Sequence, residues 1–430
     1  MPQASLFVAL STQQNIANIL PILELGKPGD RVLWIESETA RKNNWSQGAC
    51  VVLRRYGISD IETLPVDDDP VSIQQILTEH PALQTTDFTI KLVANGGTKL
   101  QMLATSKALN GHISELLYNS DRVCLLERYR YHRDRQEPVE AIPYQGRGVD
   151  LLDMLTCNNK KILGEAEQIW PSDSPELPLY GKDIDYTSKR HQRIWEWEKS
   201  RPSCPEPAFS YEEAVRISPE KRQALTKIVL DCCGLKKIQN EDHYLKKIYD
   251  AAHRLDADAW KKQPKRASDE EAPDVGRDLE DAVSVRVIRW INQNPNFAKM
   301  IQSIWRNVKI TPSYNNKIEA ELDVALLLKN GRLLHLECKA FDAPLKDMNS
   351  RYSVLQRSSS QIAKMAICIP FFEPLSDLEW HKEISENANK INEWDHFDLI
   401  EFTFPEQLGT KGLTFEESLT KWVKPFLFAD

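Results

Sequence analysis

The amino-terminal part of the chain alternates between two hydrophobic patterns. Some segments carry the stripe of an amphipathic helix, with apolar residues every three or four positions, and the first stripe comprises Ile16, Ile19, Leu20 and Leu23. Between such segments lie compact apolar runs with the length of buried strands, at residues 5–10, 31–35, 61–66 and 89–94. Strands that alternate with helices predict an α/β fold, a Rossmann-like parallel sheet with helices on both faces.

Two more strands are predicted to close this sheet. Residues 112–118 and 122–126 are separated by Asn119-Ser120-Asp121, which has the composition of a turn. Residues 128–133 alternate basic and aromatic side chains. That alternation indicates an exposed strand, and a stripe that binds nucleic acid is the alternative.

A hairpin pattern occurs late in the chain. Residues 324–328 and 332–336 are mostly apolar, and Lys329-Asn330-Gly331 lies between them. Two apolar strands around an Asn-Gly turn predict a β-hairpin. Charged residues stand at its open end, with Asp323 before the first strand and Glu337 and Lys339 at the end of the second.

The length of the turn decides which face Asp323 occupies. With a two-residue turn Asp323 would lie opposite Cys338 and point away from Glu337, because a shift of one residue inverts every side chain. A three-residue turn with Gly331 in the left-handed conformation places Asp323 opposite Glu337 and Glu321 across from Lys339. We predict the three-residue turn.

The acids at this end of the hairpin suggest a metal site. Asp323 and Glu337 would repel each other in an apolar setting unless a cation joined them. Carboxylate oxygens suit Mg²⁺ or Mn²⁺. Lys339 is then placed to hold or deprotonate a water, or to neutralise charge on a phosphorus under attack. Ordinary salt bridges at a strand end are the simpler alternative.

This arrangement resembles the PD-(D/E)xK nuclease superfamily, whose nuclease domain has a restriction-endonuclease-like α/β fold. Asp323 matches the first acid of its motif, and Glu337 and Lys339 match its Glu-x-Lys pair. The superfamily also carries an acid on the preceding helix, and Glu280 fits that position beside the stripe of Leu279, Val283, Val287 and Ile291. The resemblance implies catalytic roles for Glu280, Asp323, Glu337 and Lys339, with the three acids as metal ligands. A solvated acid favoured by the helix dipole is the alternative for Glu280.

A polar loop is expected at the carboxyl edge of the amino-terminal sheet, where ligands of such sheets bind. This loop is Asn95-Gly96-Gly97-Thr98-Lys99. Its two glycines let a ligand approach the backbone closely, and Thr98 and Lys99 add a hydroxyl at a helix start and an ammonium group. Ser11, Thr12 and Asn15 follow the first strand and add donors. The residues suit phosphate or ribose, and an ordinary turn capped by Thr98 is equally compatible with the spacing. Neither a Walker loop nor Gly-x-Gly-x-x-Gly is present, so ATP hydrolysis and NAD chemistry are unsupported.

The loop resembles the ligand loop of CARF domains, the Rossmann-like sensors of CRISPR systems that bind cyclic oligoadenylates at a dimer interface. A CARF domain followed by a PD-(D/E)xK domain is the plan of the ancillary nucleases of type III CRISPR systems, typically switched on by cyclic tetra-adenylate. The resemblance implies a homodimer with residues 95–99, Ser11 and Thr12 at the activator, and we add Asn15 to this site as a further donor after the first strand.

Bulk composition is compatible with this interpretation. A length of 430 residues suggests two or three domains of roughly 100–200 residues each. The net charge of −8 argues against a protein that coats nucleic acid by electrostatics, but not against a nuclease with a local basic groove. Eight scattered cysteines without a Cys-x-x-Cys pair make zinc and a disulfide framework unexpected. With no signal peptide and no apolar run long enough for a membrane, we expect a cytoplasmic protein.

We divide the chain into a CARF domain at residues 1–145, a linker and small helical region at 146–270 and a nuclease domain at 271–430. The middle region contains no chemistry that we can assign. The expected activity is metal-dependent cleavage of single-stranded RNA or DNA, with nicking of duplex DNA as an extension, in antiviral defence. Two rivals remain, an unregulated restriction or repair nuclease and a ligand-binding sensor whose carboxylates are structural.

Overall fold

The computed structural model describes residues 3–84, 87–120, 124–132, 135–145, 149–171, 275–339, 345–358, 363–370, 386, 397–403 and 408–427. Most of the predicted middle region, 172–270, therefore lies outside the described residues. The part that is described contains two seven-stranded sheets with helices packed against them.

The first sheet comprises β1 (Ala4–Leu10), β2 (Arg31–Glu36), β3 (Asp60–Pro65), β4 (Phe88–Val93), β5 (Ile113–Asn119), β6 (Leu125–His132) and β7 (Arg135–Pro143). Their order is β3-β2-β1-β4-β5-β6-β7. The first five strands are parallel, and β6 and β7 are antiparallel additions. The helices of this part are α1 (Ile16–Leu25), α2 (Glu38–Lys42), α3 (Trp45–Arg55), α4 (Pro70–Glu79), α5 (Pro81–Gln84) and α6 (Lys99–Ala108).

Helices cover both faces of this sheet, which confirms the predicted α/β fold. Along β1, Phe7 belongs to the core beneath α1 and α3, whereas Leu6 and Val8 belong to the core beneath α4 and α6. That alternation is what a strand buried on both faces requires. The predicted stripe of α1 is wholly buried.

The closing strands differ from the prediction. The structure begins β6 at Leu125 rather than at residue 122, and adds β7, which the sequence analysis did not predict. The alternating residues 128–132 lie within β6, as expected for a strand, and residues 121–123 lie outside the described part.

The second sheet comprises β8 (Lys160–Ile162), β9 (Glu167–Trp170), β10 (Ile301–Pro312), β11 (Ala320–Leu328), β12 (Leu333–Cys338), β13 (Lys364–Pro370) and β14 (Phe397–Phe402). The order is β14-β13-β12-β11-β10-β8, and β9 also pairs with β10. The associated helices are α7 (Leu151–Cys157), α8 (Val275–Gln293), α9 (Pro295–Ala298), α10 (Leu345–Ser358) and α11 (Phe415–Val423), followed by a 3₁₀ turn at Lys424–Phe426.

Two strands of the second sheet come from a part of the chain that we had assigned to the linker. Residues 160–162 and 167–170 pair with β10, over one hundred positions later in the sequence. Short segments of this kind give little periodic signal, and their partner is not adjacent in the chain. The second sheet therefore draws on residues outside the predicted range 271–430.

The two sheets share one apolar core through α1. Ile16 and Leu20 of α1 belong to the same buried cluster as Leu327 and Leu333, which flank the hairpin turn. Burying side chains of this size stabilises a fold by about 1.5–3 kcal/mol each. Within the described residues no helix is both long and apolar enough to cross a membrane.

Candidate metal centre

The hairpin has the predicted three-residue turn. Val324 pairs with Leu336 and Leu327 with Leu333, so extension of the same register places Asp323 opposite Glu337. The turn is closed by Leu328, whose N–H donates to the carbonyl of Arg332 at 2.8 Å. Gly331 has φ +77°, the left-handed conformation that the prediction required.

The two acids meet in a buried site. Glu337 is fully buried and Asp323 is 7% exposed. The backbone N–H of Cys338 donates to Oδ2 of Asp323 at 2.7 Å and thereby fixes that carboxyl. Burial, reinforced by the charges of Glu337 and then Glu280, raises the pKa of Asp323 well above its usual range. Such a cluster of acids is unfavourable without positive charge beside it.

Two cations supply part of that charge. Lys339 Nζ lies 2.7 Å and Arg351 Nη1 lies 2.6 Å from the same oxygen, Oε1 of Glu337. Lys339 comes from the end of β12, as predicted, whereas Arg351 comes from α10. From the sequence Arg351 is a candidate contact to substrate phosphates, with an exposed helix as the default, and nothing in its spacing shows that α10 returns to the hairpin.

Glu280 reaches the same place from α8. It lines a cavity of about 460 Å³ together with Asp323, Lys339 and Arg351. The helix is held there by Arg306 of β10, which pairs with Asp281 of α8 and with Glu167 of β9, the latter at 2.6 Å. The structure therefore brings together all four residues that the sequence assigned to catalysis.

His335 is an addition to the predicted site. It is buried, and its Nε2 accepts a hydrogen bond from the backbone N–H of Asp323 at 3.2 Å. The same nitrogen lies 3.6 Å from Oε2 of Glu337. Burial lowers the pKa of His335 to about 4, so the ring is neutral at pH 7 and can accept. A single histidine in an apolar strand carries no spacing signal that would reveal these contacts.

These side chains are suited to a divalent cation. Oε2 of Glu337 is buried and accepts no hydrogen bond from the described part of the chain. Ligand atoms of Asp323, His335 and Glu337 lie within 4.8 Å of one another. Oxygen donors of this kind fit Mg²⁺ or Mn²⁺, and the nearby Glu280 adds a third carboxylate.

The second predicted site, the loop after β4, is exposed at its tip. Thr98 caps α6 by accepting from the N–H of Gln101, while Gln101 Oε1 accepts from the N–H of Thr98 at 2.8 Å. Thr98, Lys99 and Gly97 are exposed. Gly96 is buried, and a Cβ there would lie 2.0 Å from the carbonyl oxygen of Leu10, so only glycine fits. The predicted cap is present, and the exposed tip also leaves room for a ligand.

The residues after β1 divide into two kinds. Ser11 Oγ is buried and has no hydrogen-bond partner among the described residues, whereas Thr12 is partly exposed. Asn15 is fully buried: its Oδ1 accepts from the N–H of Thr12 and its Nδ2 donates to the carbonyl of Trp45 at 2.7 Å. Asn15 thus holds the loop in shape and does not face a ligand in this conformation, which differs from the predicted direct contact.

A chain of asparagines connects this loop to the hairpin. Asn95 donates from Nδ2 to the carbonyl of Asn119 and accepts from its N–H, at 3.0 and 2.7 Å. The side chain of Asn119 donates to the carbonyl of Asn330, in the hairpin turn, at 3.1 Å. Beside it, a Cβ on Gly331 would lie 2.7 Å from Ile16 and Leu20 of α1, so the turn packs tightly on that helix. Sequence reasoning missed this connection because Asn119 and Asn330 are far apart in the chain.

No protein-family model and no curated protein matches the chain. Two solved structures of comparable length are similar to it. Protein VC1899 from Vibrio cholerae has 15% identity and a TM-score of 0.59, over 98% of each chain. Can2 from Sulfobacillus thermosulfidooxidans, in complex with cyclic tetra-adenylate, has 14% identity and a TM-score of 0.57, over 97% of this chain and 99% of that one. The chain has the fold of these proteins.

A third structure extends the comparison. A type III CRISPR defence DNA nuclease activated by cyclic oligoadenylate has 12% identity and a TM-score of 0.50, over 99% of this chain and 52% of that one. The chain thus spans about half the length of that nuclease. The predicted resemblance to the ancillary nucleases of type III CRISPR systems is confirmed at the level of the fold.

Proposed function

We propose that the protein is a metal-dependent nuclease of type III CRISPR antiviral defence, switched on by cyclic tetra-adenylate. The observation that carries this proposal is that Glu280, Asp323 and Lys339 line one cavity of about 460 Å³, and that the buried Glu337 contacts Lys339 directly beneath it at 2.7 Å. Three acids around a buried hairpin end repel one another, and binding of Mn²⁺ or Mg²⁺ by their oxygens would remove that repulsion. The fold shared with Can2 and with a CRISPR nuclease supports the same activity.

The residues of the site have distinct tasks in this mechanism. Asp323, Glu337 and Glu280 would hold the cation, which when bound makes water a better nucleophile and balances the charge of the phosphodiester. Lys339 orients the attacking water and stabilises negative charge as it develops on the phosphate. Arg351 shares Oε1 of Glu337 with Lys339, and its 40% exposed side chain is free to turn toward a substrate phosphate.

We propose single-stranded RNA or DNA as the substrate. The cavity is also lined by Lys309 and Asn307, which add a cation and an amide beside the acids. A local cluster of cations can bind a strand although the whole chain carries a net charge of −8. Nicked duplex DNA, in which one strand can leave the stack, is a further substrate.

The exposed loop after β4 is the proposed binding site for the activator. Thr98 and Lys99 offer a hydroxyl and an ammonium group at the amino terminus of α6, the end of a helix that suits an anionic ligand. Leu100 and Leu103 of α6 are 65% and 66% exposed, which is unusual for large apolar residues and suits contact with a second copy of the chain. A homodimer would then clasp one cyclic oligoadenylate between two such loops.

The asparagine chain is the proposed route of activation. Asn95 lies in the activator loop and Asn330 lies in the hairpin turn, and Asn119 is hydrogen-bonded to both. The same hairpin carries Asp323 and Glu337. A ligand shifts a conformational equilibrium only through differential affinity for the two states. We infer that a change in the conformation of the loop on activator binding shifts Asn119 through its hydrogen bonds to Asn95, and that Asn119 in turn shifts the hairpin turn through its hydrogen bond to Asn330.

The test is a cleavage assay on labelled RNA and DNA, single-stranded and nicked duplex, with Mn²⁺ and with or without cyclic tetra- or hexa-adenylate. We expect cleavage that requires both Mn²⁺ and the tetra-adenylate. Equal cleavage without any nucleotide would favour the unregulated nuclease. Tight binding of the nucleotide with no cleavage of any substrate would favour the pure sensor.

A further inference from the structure

The strands that carry the site are irregular at one point. In β10 and β11, Arg306 pairs with Val324 and Val308 with Leu322, but Asn307 and Asp323 between them are skipped by the pairing. Asn307 has φ +53°, the left-handed conformation, which a residue within a strand rarely adopts. Strained backbone of this kind is concentrated at functional sites.

Both strands change face at this point. In β11, Val324, Leu326 and Leu328 face the core beneath α8, as their even spacing requires, but Leu322 faces the opposite core. In β10, Ile304 faces the core beneath α8, whereas Val308 and Ile310 face the opposite core. A regular strand keeps alternate residues on one face, so the two neighbouring strands are turned over together at Asn307 and Asp323.

The change of face at Asp323 leaves its backbone N–H without the hydrogen bond to β10 that a regular ladder would give it. The N–H of Leu328 donates toward β12, to the carbonyl of Arg332, so in a regular ladder the even-numbered residues of β11 hydrogen-bond to β12 and Asp323 would hydrogen-bond to Asn307 of β10. Instead its N–H donates to Nε2 of His335 at 3.2 Å, and its carboxyl accepts from Cys338 at 2.7 Å. His335 therefore takes the place of the missing strand partner.

The change of face determines which side chains Asp323 can contact. Glu280 arrives on α8, which covers one face of the sheet, whereas Arg351 arrives on α10, whose Met348 and Leu355 pack against the other face. Both of them nevertheless line one cavity with Asp323. An acid on a regular strand would face only one of these helices.

From these observations we propose that Asn307 and His335 are positioning residues, which turn Asp323 out of the regular strand so that acids and cations from both faces of the sheet share one metal site. The inference rests on the proposed function and adds a role for two residues that would not themselves hold the cation. Asn307 supplies the left-handed backbone and His335 supplies the replacement acceptor.

The test measures metal affinity of the full-length protein by calorimetry, with Mn²⁺ and with Mg²⁺ in turn. Asn307→Val disfavours the left-handed conformation and should weaken both affinities about 10–100-fold, the range found when outer-shell partners of a metal site are lost. Asn307→Gly tolerates that conformation and is the matched control, expected to stay within about 3-fold of the wild type. Equal affinity in the wild type and Asn307→Val would overturn the role of Asn307.

His335 is tested by His335→Leu, which removes the acceptor. We expect losses of Mn²⁺ and Mg²⁺ affinity by the same factor, again about 10–100-fold. A loss confined to Mn²⁺ would overturn the proposal and make His335 a nitrogen ligand, because imidazole prefers Mn²⁺ to Mg²⁺. Unchanged affinity for both ions would overturn it as well.

Two controls separate these outcomes from other failures. Cyclic tetra-adenylate binding should be the same in all variants, which shows that the sensor part is folded. Thermal unfolding shows whether the second sheet remains cooperative. A variant that unfolds early is replaced by Asn307→Ala or His335→Phe, which change the shape of the side chain less and, in the case of Phe, still remove the acceptor. A wild type that binds neither ion would refute the proposed function itself, whereas a wild type that binds and an equally tight Asn307→Val refute only this inference.

Discussion

The two candidate sites of this molecule are built in opposite ways. At the hairpin, Glu337 is fully buried and is bracketed by Lys339, Arg351 and His335 at 2.7, 2.6 and 3.6 Å. In the loop after β4, Thr98 and Lys99 are exposed and sit at a helix start. A buried site is fixed by its own contacts and can hold a small cation, whereas an exposed loop is free to adapt to a large ligand.

This contrast has a consequence for regulation. A rigid buried site can respond to a distant ligand only if well-ordered contacts connect the site to the loop that binds the ligand. Asn119 provides such a connection, since its backbone bonds to Asn95 in the loop and its side chain to Asn330 in the hairpin turn. Substitutions in the site, in the loop and at the connection should therefore have different effects, and the effects should decrease in that order.

The largest effect is expected from Glu337→Gln, which keeps the shape of the side chain but removes its charge. Cleavage with Mn²⁺ and activator should fall at least about 10²–10³-fold, because loss of this ligand weakens binding of the cation, which contributes several kcal/mol of charge stabilisation in the transition state. Binding of cyclic tetra-adenylate should not change. Glu319→Gln, on the same side of the hairpin but ion-paired with Lys160, is the control and should cleave normally. Retained cleavage in Glu337→Gln would exclude this site.

A smaller effect is expected from Thr98→Ala combined with Lys99→Ala. Losing hydrogen bonds that involve a charged partner costs about 1.5–3 kcal/mol, or roughly 10–150-fold in affinity for cyclic tetra-adenylate. Calorimetric titration of the nucleotide measures the loss. Affinity for Mn²⁺ should be unchanged, since neither residue lies near the acids of the hairpin. If the nucleotide binds as tightly as to the wild type, the activator site lies elsewhere.

The smallest effect is expected at the connection itself. Asn119→Ala removes the side-chain donor to Asn330 but keeps the backbone bonds to Asn95. A hydrogen bond contributes about 0.5–1.5 kcal/mol, so the activation ratio should fall roughly 2–10-fold while nucleotide and metal affinities persist. The ratio of cleavage rates with and without activator measures it, and Asn110→Ala, at an exposed asparagine, is the control. An unchanged ratio would mean that the signal takes another route.

The hairpin could be predicted in detail because several local signals agreed. The apolar runs fixed the strands, Asn330-Gly331 fixed the turn, and the need to bring Asp323 opposite Glu337 selected the register that the structure has. The first sheet was predictable for the same reason, since the strand and helix patterns alternate along adjacent parts of the chain.

The rest depends on contacts between distant segments. Strands β8 and β9 are short and pair with β10 far along the chain, and Arg351 reaches Glu337 only because α10 folds back onto the sheet. Asparagine tolerates the left-handed conformation better than most residues, but the apolar residues on both sides of Asn307 indicate an uninterrupted strand and do not single this position out. Such features follow from tertiary packing, which periodicity along the chain does not contain.

The central claim is that the acids of the hairpin hold one divalent cation, and anomalous diffraction from crystals soaked in Mn²⁺ tests it most directly. The account predicts a single strong anomalous peak in each chain, in contact with the carboxylates of Asp323 and Glu337 and within reach of Glu280, and no such peak in Glu337→Gln. A Mn²⁺ peak bound elsewhere, with the carboxylates of Asp323 and Glu337 still engaged only by Cys338, Lys339 and Arg351, would contradict it.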